Sequence, residues 1–214
     1  MPYVGQTITD VFPTSVSLDT VTATTSLKTP LVEFTDGDNA FTISDGGNVA
    51  FSGTVSGVGG ITHFDQWRLN ADFTGGADPI SSNLERVDHA GQATIGSAMT
   101  FNSGIFSFPV TGKWLIRANW QHSFNGTSRY QSHYIYATLD NSSYHLYNEM
   151  ITFITHSESA STYTSGSQEF TLDVTDTSNI KCKFVLAVSN SSVQTMGKTD
   201  RNQTYFTFMR LGDT

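Results

Sequence analysis

The stretch Phe101-Asn-Ser-Gly-Ile-Phe-Ser-Phe-Pro-Val-Thr-Gly-Lys-Trp-Leu-Ile-Arg-Ala-Asn-Trp120 restricts the fold more than any other part of this chain. Trp114, Ile116, Ala118 and Trp120 occupy alternate positions, with Arg117, Asn119 and Gln121 on the other parity. A period of two sends one set into a core and the other outward, which is the pattern of a half-buried strand. Ile105–Val110 reads as a second strand, and Pro109-Val-Thr-Gly112 as the tight corner between the two. The Trp pair is expected in the core.

The rest of the chain agrees with a β fold. Charged residues make up only 14% of it, against about 25% in an average domain. Thr, Ser, Asn and Gly fill the deficit and favour strands and turns. No segment combines a helical period with caps. The strands read as Thr62–Phe73, Asn83–Val87, Ala98–Phe101, Ile105–Val110, Lys113–Phe124, Gln131–Asp140, Ser143–Phe153, Gln168–Val174, Ile180–Val188 and Tyr205–Leu211. That number of strands between turn clusters is the count of a jelly roll or sandwich.

Residues 1–60 differ from 61–214, and the Gly/Ser-rich joint Phe51-Ser-Gly-Thr-Val-Ser-Gly-Val-Gly-Gly60 divides them. The first part lacks Trp and is built of short alternating pieces. Phe34-Thr-Asp-Gly37 is echoed by Ile43-Ser-Asp-Gly46, and Asp-Gly is a strong turn signal. Short strands turning at regular intervals suit a β shaft that needs stacking or three-fold wrapping, or a small β extension on the head.

Charge and motifs exclude several functions. With 11 Lys plus Arg and a net charge of −8, the chain lacks the clustered cations that nucleic acid and anionic membranes require. No segment approaches the ~20 apolar residues of a membrane helix, so no membrane insertion is expected. The opening Met1-Pro-Tyr-Val-Gly lacks a basic start and an apolar run, so no export signal is expected. The single Cys182 rules out an intrachain disulfide and alternates with apolar neighbours, as a buried residue would. His63, His89, His122, His133, His145 and His156 form no close metal spacing, and Asp36-Gly-Asp38-Asn39 departs from a calcium loop at Ala40 and Phe41. Glu149 and Glu158 are the nearest candidates for a glycosidase pair, with nothing in their spacing to single them out. The expectation is a protein that is no enzyme and carries no cofactor or metal.

Binding is the better lead. Asn125-Gly-Thr-Ser-Arg129-Tyr130, Asn141-Ser-Ser-Tyr144-His-Leu-Tyr147 and Asn190-Ser-Ser-Val-Gln194 mix tyrosine with small polar residues. Such mixtures serve recognition surfaces, because Tyr supplies area at little entropy cost and Asn or Ser adaptable hydrogen bonds. Asn125, Arg129, Tyr130, Asn141, Tyr144 and Tyr147 are the candidate receptor contacts. Ordinary hairpin turns would carry the same composition.

Across about Phe64–Leu211 the chain resembles the complement and tumour-necrosis-factor superfamily. The residues concerned are Phe106-Ser-Phe-Pro-Val-Thr-Gly-Lys-Trp-Leu-Ile, the closing Phe206-Thr-Phe-Met-Arg-Leu and the strand spacing between them. The opening, with Gly47-Asn-Val-Ala-Phe-Ser-Gly-Thr-Val-Ser-Gly57, is similar to fibre proteins of marine bacteriophages. These resemblances imply an all-β chain: an N-terminal β-rich shaft or anchor, then a jelly-roll head assembled as a homotrimer. They further imply a virion location, other virion proteins bound through the N-terminal segment, and a host-surface glycan or protein as target. A capsid- or tail-bound decoration protein and a bacterial lectin-like adhesin are the alternatives. The superfamily's calcium-site pattern and collagen stalk are not present, so metal dependence does not carry over. In the final strand Phe206 and Phe208 share one face, and Tyr205, Met209 and Leu211 the other. Two apolar faces need two covers, so Tyr205, Met209 and Leu211 are the expected trimer interface.

Overall fold

The computed structural model describes residues 31–33, 39–44, 46–51, 60–157 and 159–214. The chain divides into two compact units, Met1–Val58 and Gly59–Thr214. Among the described residues there are strands and turns and no helix.

In the first unit β1 (Leu31–Glu33), β2 (Asn39–Ile43) and β3 (Val49–Phe51) form an antiparallel meander. Phe41 lies opposite Phe51, and Ile43 opposite Val49. Of the second echo, Ser44 and Gly46 stand at the β2–β3 turn, where the Ser44 N–H donates to Asn48 O at 2.9 Å and Gly47 N–H to Ser44 O at 2.8 Å; Asp45 lies outside the described residues. Gly47 has φ 77°, a conformation open to glycine without strain. The first echo, Phe34–Gly37, and the Asp36/Asp38 pair lie outside the described residues.

The second unit is a two-layer sandwich. Its strands are β4 (Phe64–Leu69), β5 (Phe73–Thr74), β6 (Leu84–Arg86), β7 (Thr100–Asn102), β8 (Ile105–Ser107), β9 (Gly112–Phe124), β10 (Ser128–Thr138), β11 (Tyr144–Ile154), β12 (Thr162–Val174), β13 (Lys181–Val188), β14 (Gln194–Thr195) and β15 (Tyr205–Gly212). One sheet runs β12-β9-β15-β4-β6, with β14 pairing β9 beyond β15 and β5 pairing β14. The other runs β11-β10-β13-β8-β7. All pairs are antiparallel.

The alternation read from the sequence sets the packing. Trp114, Ile116, Ala118 and Trp120 are buried, as are Phe206 and Phe208 on β15 and Cys182, Phe184 and Leu186 on β13. Phe106 sits among Trp67, Phe101, Phe184, Phe206 and Phe208, with ring centroids 4.9–6.4 Å away. Aromatic pairs at these separations add to the hydrophobic term. Burial pushes the Cys182 thiol well above its ordinary range. The corner before β9 depends on Gly112, at φ 141°. A Cβ there would lie 2.4 Å from Arg210 Nε, whose N–H donates to Thr111 O at 2.8 Å.

Several strand bounds differ from the sequence reading. Thr62–Phe73 is two pieces, β4 and β5, interrupted at Asn70–Asp72. Strand β10 begins at Ser128 and not Gln131, so Arg129 and Tyr130 belong to a strand beside a register irregularity. Strand β12 begins at Thr162 and not Gln168. Its polar first half is a full partner of β9, and the inner side of Gly166 is occupied by Met150, whose Cε would meet an added Cβ at 2.6 Å.

Candidate functional site

The six candidate receptor residues do not converge. Asn125 lies in the β9–β10 turn, where His156 Nε2–H donates to its Oδ1 at 3.2 Å. Arg129 and Tyr130 follow at the start of β10; the Tyr130 O accepts from Ser189 N–H at 3.1 Å, which brings the Asn190 loop to the same end. Asn141 lies past the other end of β10, and its Oδ1 accepts from Lys181 Nζ at 2.7 Å. An eleven-residue strand separates the two groups by about 33 Å.

Tyr144 and Tyr147 are strand residues of β11. Lys183 Nζ stands 5.1 Å from the Tyr144 ring centre and 5.4 Å from that of Tyr136, while also bonding Asp78 at 2.8 Å. Tyr147 stacks on Phe170 of β12 with centroids 5.3 Å apart. The tyrosines therefore belong to the outer face of one sheet and to the β11–β12 edge. The Asn125 and Asn141 groups occupy opposite ends of the sandwich.

On the other sheet the outward row Leu115, Met209 and Phe64 crosses three strands in register, with Tyr205 beside Asn119 four residues along. Met209 and Tyr205 are half-buried and Leu211 is exposed. A shallow hollow of about 400 Å³ continues this face, lined by Asn119, Gln121, Ser165, Ser167, Gln203 and Tyr205. Ion pairs Arg117–Glu169 and Lys113–Asp173 lie on the same face and balance its charge.

The sequence reading overlooked two features. Ile151, Phe153 and Tyr163 are 58%, 67% and 61% exposed on β11 and β12, the most exposed large apolar side chains of the head. The signal was present: β11 carries Met150 and Ile154 on one parity and Ile151 and Phe153 on the other, the same two-faced pattern that marked β15. The second is a pair of buried histidines, His122 and His133, with Nε2 atoms 2.7 Å apart. Burial and their mutual proximity hold His122 down to about 3; burial holds His133 down to about 4.

Among the described residues no three His, Cys, Asp or Glu side chains converge as metal ligands. Glu149 is exposed on β11, and its proposed glycosidase partner Glu158 lies outside the described residues. What the surface offers is aromatic area, amides and hydroxyls.

The head is an all-β jelly-roll sandwich of the tumour-necrosis-factor type. Two solved structures share it: Eiger, a TNF of S. frugiperda, is 11% identical with a TM-score of 0.53, the match covering 71% of this chain and 93% of that one. Murine APRIL at pH 5.0 is 10% identical with a TM-score of 0.50, covering 70% of this chain and 98% of that one. No family model and no curated protein matches the chain. At these identities the likeness concerns the fold.

Proposed function

We propose that this chain is a non-enzymatic, homotrimeric fibre or spike protein of a bacteriophage virion. Its N-terminal segment forms a β-rich shaft held by other virion proteins, and its head meets a host-surface glycan or protein. The observation that carries the trimer is the presence of two unlike apolar surfaces on one head. One is the sheet face of Leu115, Phe64, Tyr205, Met209 and Leu211; the other is the outer side of the edge strand β11, with Ile151 and Phe153, on the opposite sheet. A face that meets an unlike edge makes a heterologous contact, which repeats around a ring until it closes. Covering both surfaces removes apolar area from water at about 25 cal/mol per Å².

Light scattering of the full chain tests the assembly. The expected mass is that of three chains. Met209→Glu and Phe153→Glu, one on each surface, are each expected to yield folded monomers with unchanged far-ultraviolet dichroism. A monomeric wild-type chain would overturn the trimer. Attachment is tested with labelled protein on candidate host cells. Loss of binding in Arg129→Ala with Tyr130→Ala, but not in Asn141→Ala with Tyr144→Ala, would place the outward end at the β9–β10 turn; the reverse would place it at the other end. A trimer that binds no host surface is the outcome expected of a decoration protein.

A further inference from the structure

His122 projects inward from β9 and His133 from β10, so the contact between them joins the two sheets. Both side chains are fully buried. His133 Nδ1 lies 3.1 Å from Met150 O on β11, and His122 Nδ1 lies 3.1 Å from Thr195 Oγ1 on β14.

These partners dictate where the protons sit. A carbonyl oxygen only accepts, so His133 Nδ1 carries a hydrogen and donates it to Met150 O. Neutral His133 then has a bare Nε2, which takes the Nε2–H of His122. Neutral His122 is left with a bare Nδ1, which accepts the Thr195 hydroxyl hydrogen. The result is a one-way chain of hydrogen bonds from β14 through β9 and β10 to β11, with each member satisfied.

The chain's surroundings are uncharged. In register with His122 stand Thr164 of β12 and Thr195 of β14; in register with His133 stand Met150 of β11 and Leu186 of β13. The Trp120 ring packs 4.7 Å from His133 and 6.3 Å from His122. Gln131, two positions from His133, is buried and bonded to Ser128 and Thr152. The charge that bears on His122 is that of His133.

One added proton is absorbed by reversing the chain: His133 Nε2–H then donates to His122 Nε2, and His122 Nδ1–H to Thr195 Oγ1. A second proton would place two N–H groups head to head at 2.7 Å. The closed pair has no room for it.

We propose that His122 and His133 form an acid-released latch between the two sheets: neutral, the pair ties β9 to β10, and in acid, parting of the sheets frees both imidazoles to take up two protons. The latch acts within each head and does not depend on the trimer or on any receptor. Its sign follows from linkage. Both histidines titrate lower when closed than when open, so the latch's stability is fully present above the ordinary histidine value near 6.5 and is lost as pH falls toward 4.

The test compares urea unfolding of the full chain with that of His122→Asn/His133→Gln, whose amides cannot take up protons. Between about pH 6.5 and pH 5 the wild-type unfolding constant is expected to rise relative to the variant's, at a limit of about a hundredfold per pH unit for two protons. Parallel curves for the two proteins would overturn the latch. Should the variant not fold, ring-nitrogen NMR of the wild-type chain decides alone. The expected spectrum shows His122 as the Nε2–H tautomer and His133 as the Nδ1–H tautomer, both unchanged across the same range. Reversed tautomers, or a midpoint near 6.5 in the folded head, would overturn the proposal.

Discussion

Phe184 of β13 and Phe206 of β15 lie face to face across the sandwich, ring centroids 3.8 Å apart and planes within 7° of parallel. They join the central strands of the two sheets, and both are buried. Phe184→Ala is therefore expected to lower head stability by about 3–5 kcal/mol, the upper range for large-to-small core changes. Thermal or urea unfolding measures it. A loss below about 1 kcal/mol would show that the Phe106 cluster collapses into the gap.

Gly166 gives a sharper prediction, because a glycine on an exposed-looking strand invites replacement. The Met150 sulfur and Cε occupy the position of its absent side chain. Gly166→Val is expected to destabilise the head by about 1–3 kcal/mol, as overpacking does, and Met150→Ala in the same chain to recover part of that loss. Unfolding midpoints of the single and double variants check both statements.

Cys182 supplies a pH-dependent prediction of opposite sign to that of the histidines. Its thiol is fully buried and its ionisation lies above the ordinary range. The neutral thiol is favoured in the fold, so its contribution is full below the unfolded value near 8.5 and declines as pH rises beyond it. A thiol reagent at mildly alkaline pH is expected to label the native chain only at the rate of unfolding. Cys182→Ala should remove that alkaline decline; a rapidly labelled native chain would contradict the burial.

The β9 alternation from Trp114 to Trp120 makes the core legible in the sequence, as do Phe206 and Phe208 on β15. Those strands are buried on one parity, and parity is a property of sequence alone. The first half of β12 was not legible. Thr162-Tyr-Thr-Ser-Gly-Ser167 reads as a loop because its inner positions draw their apolar cover from Met150 on another strand. The same limit applies to the histidines. His122 shares the parity of Trp120, so its burial follows from the pattern, but its contact with His133 exists only once β9 and β10 face each other. The candidate binding turns failed to converge for a related reason: Asn, Ser and Tyr occur at both ends of the sandwich, and composition does not distinguish one end from the other.

Strand β15 lies between β9 and β4, in the middle of its sheet, though it follows every other strand of the head in the chain. A polypeptide that stops before Tyr205 leaves β4 and β9 with open edges and Phe184 without its stacking partner. Such a fragment cannot close the sandwich, and its contacts are of the long-range kind that form slowly. The topology thus works as a check on synthesis. A copy that lacks β15 cannot hide its core, so it remains recognisable to proteases and chaperones.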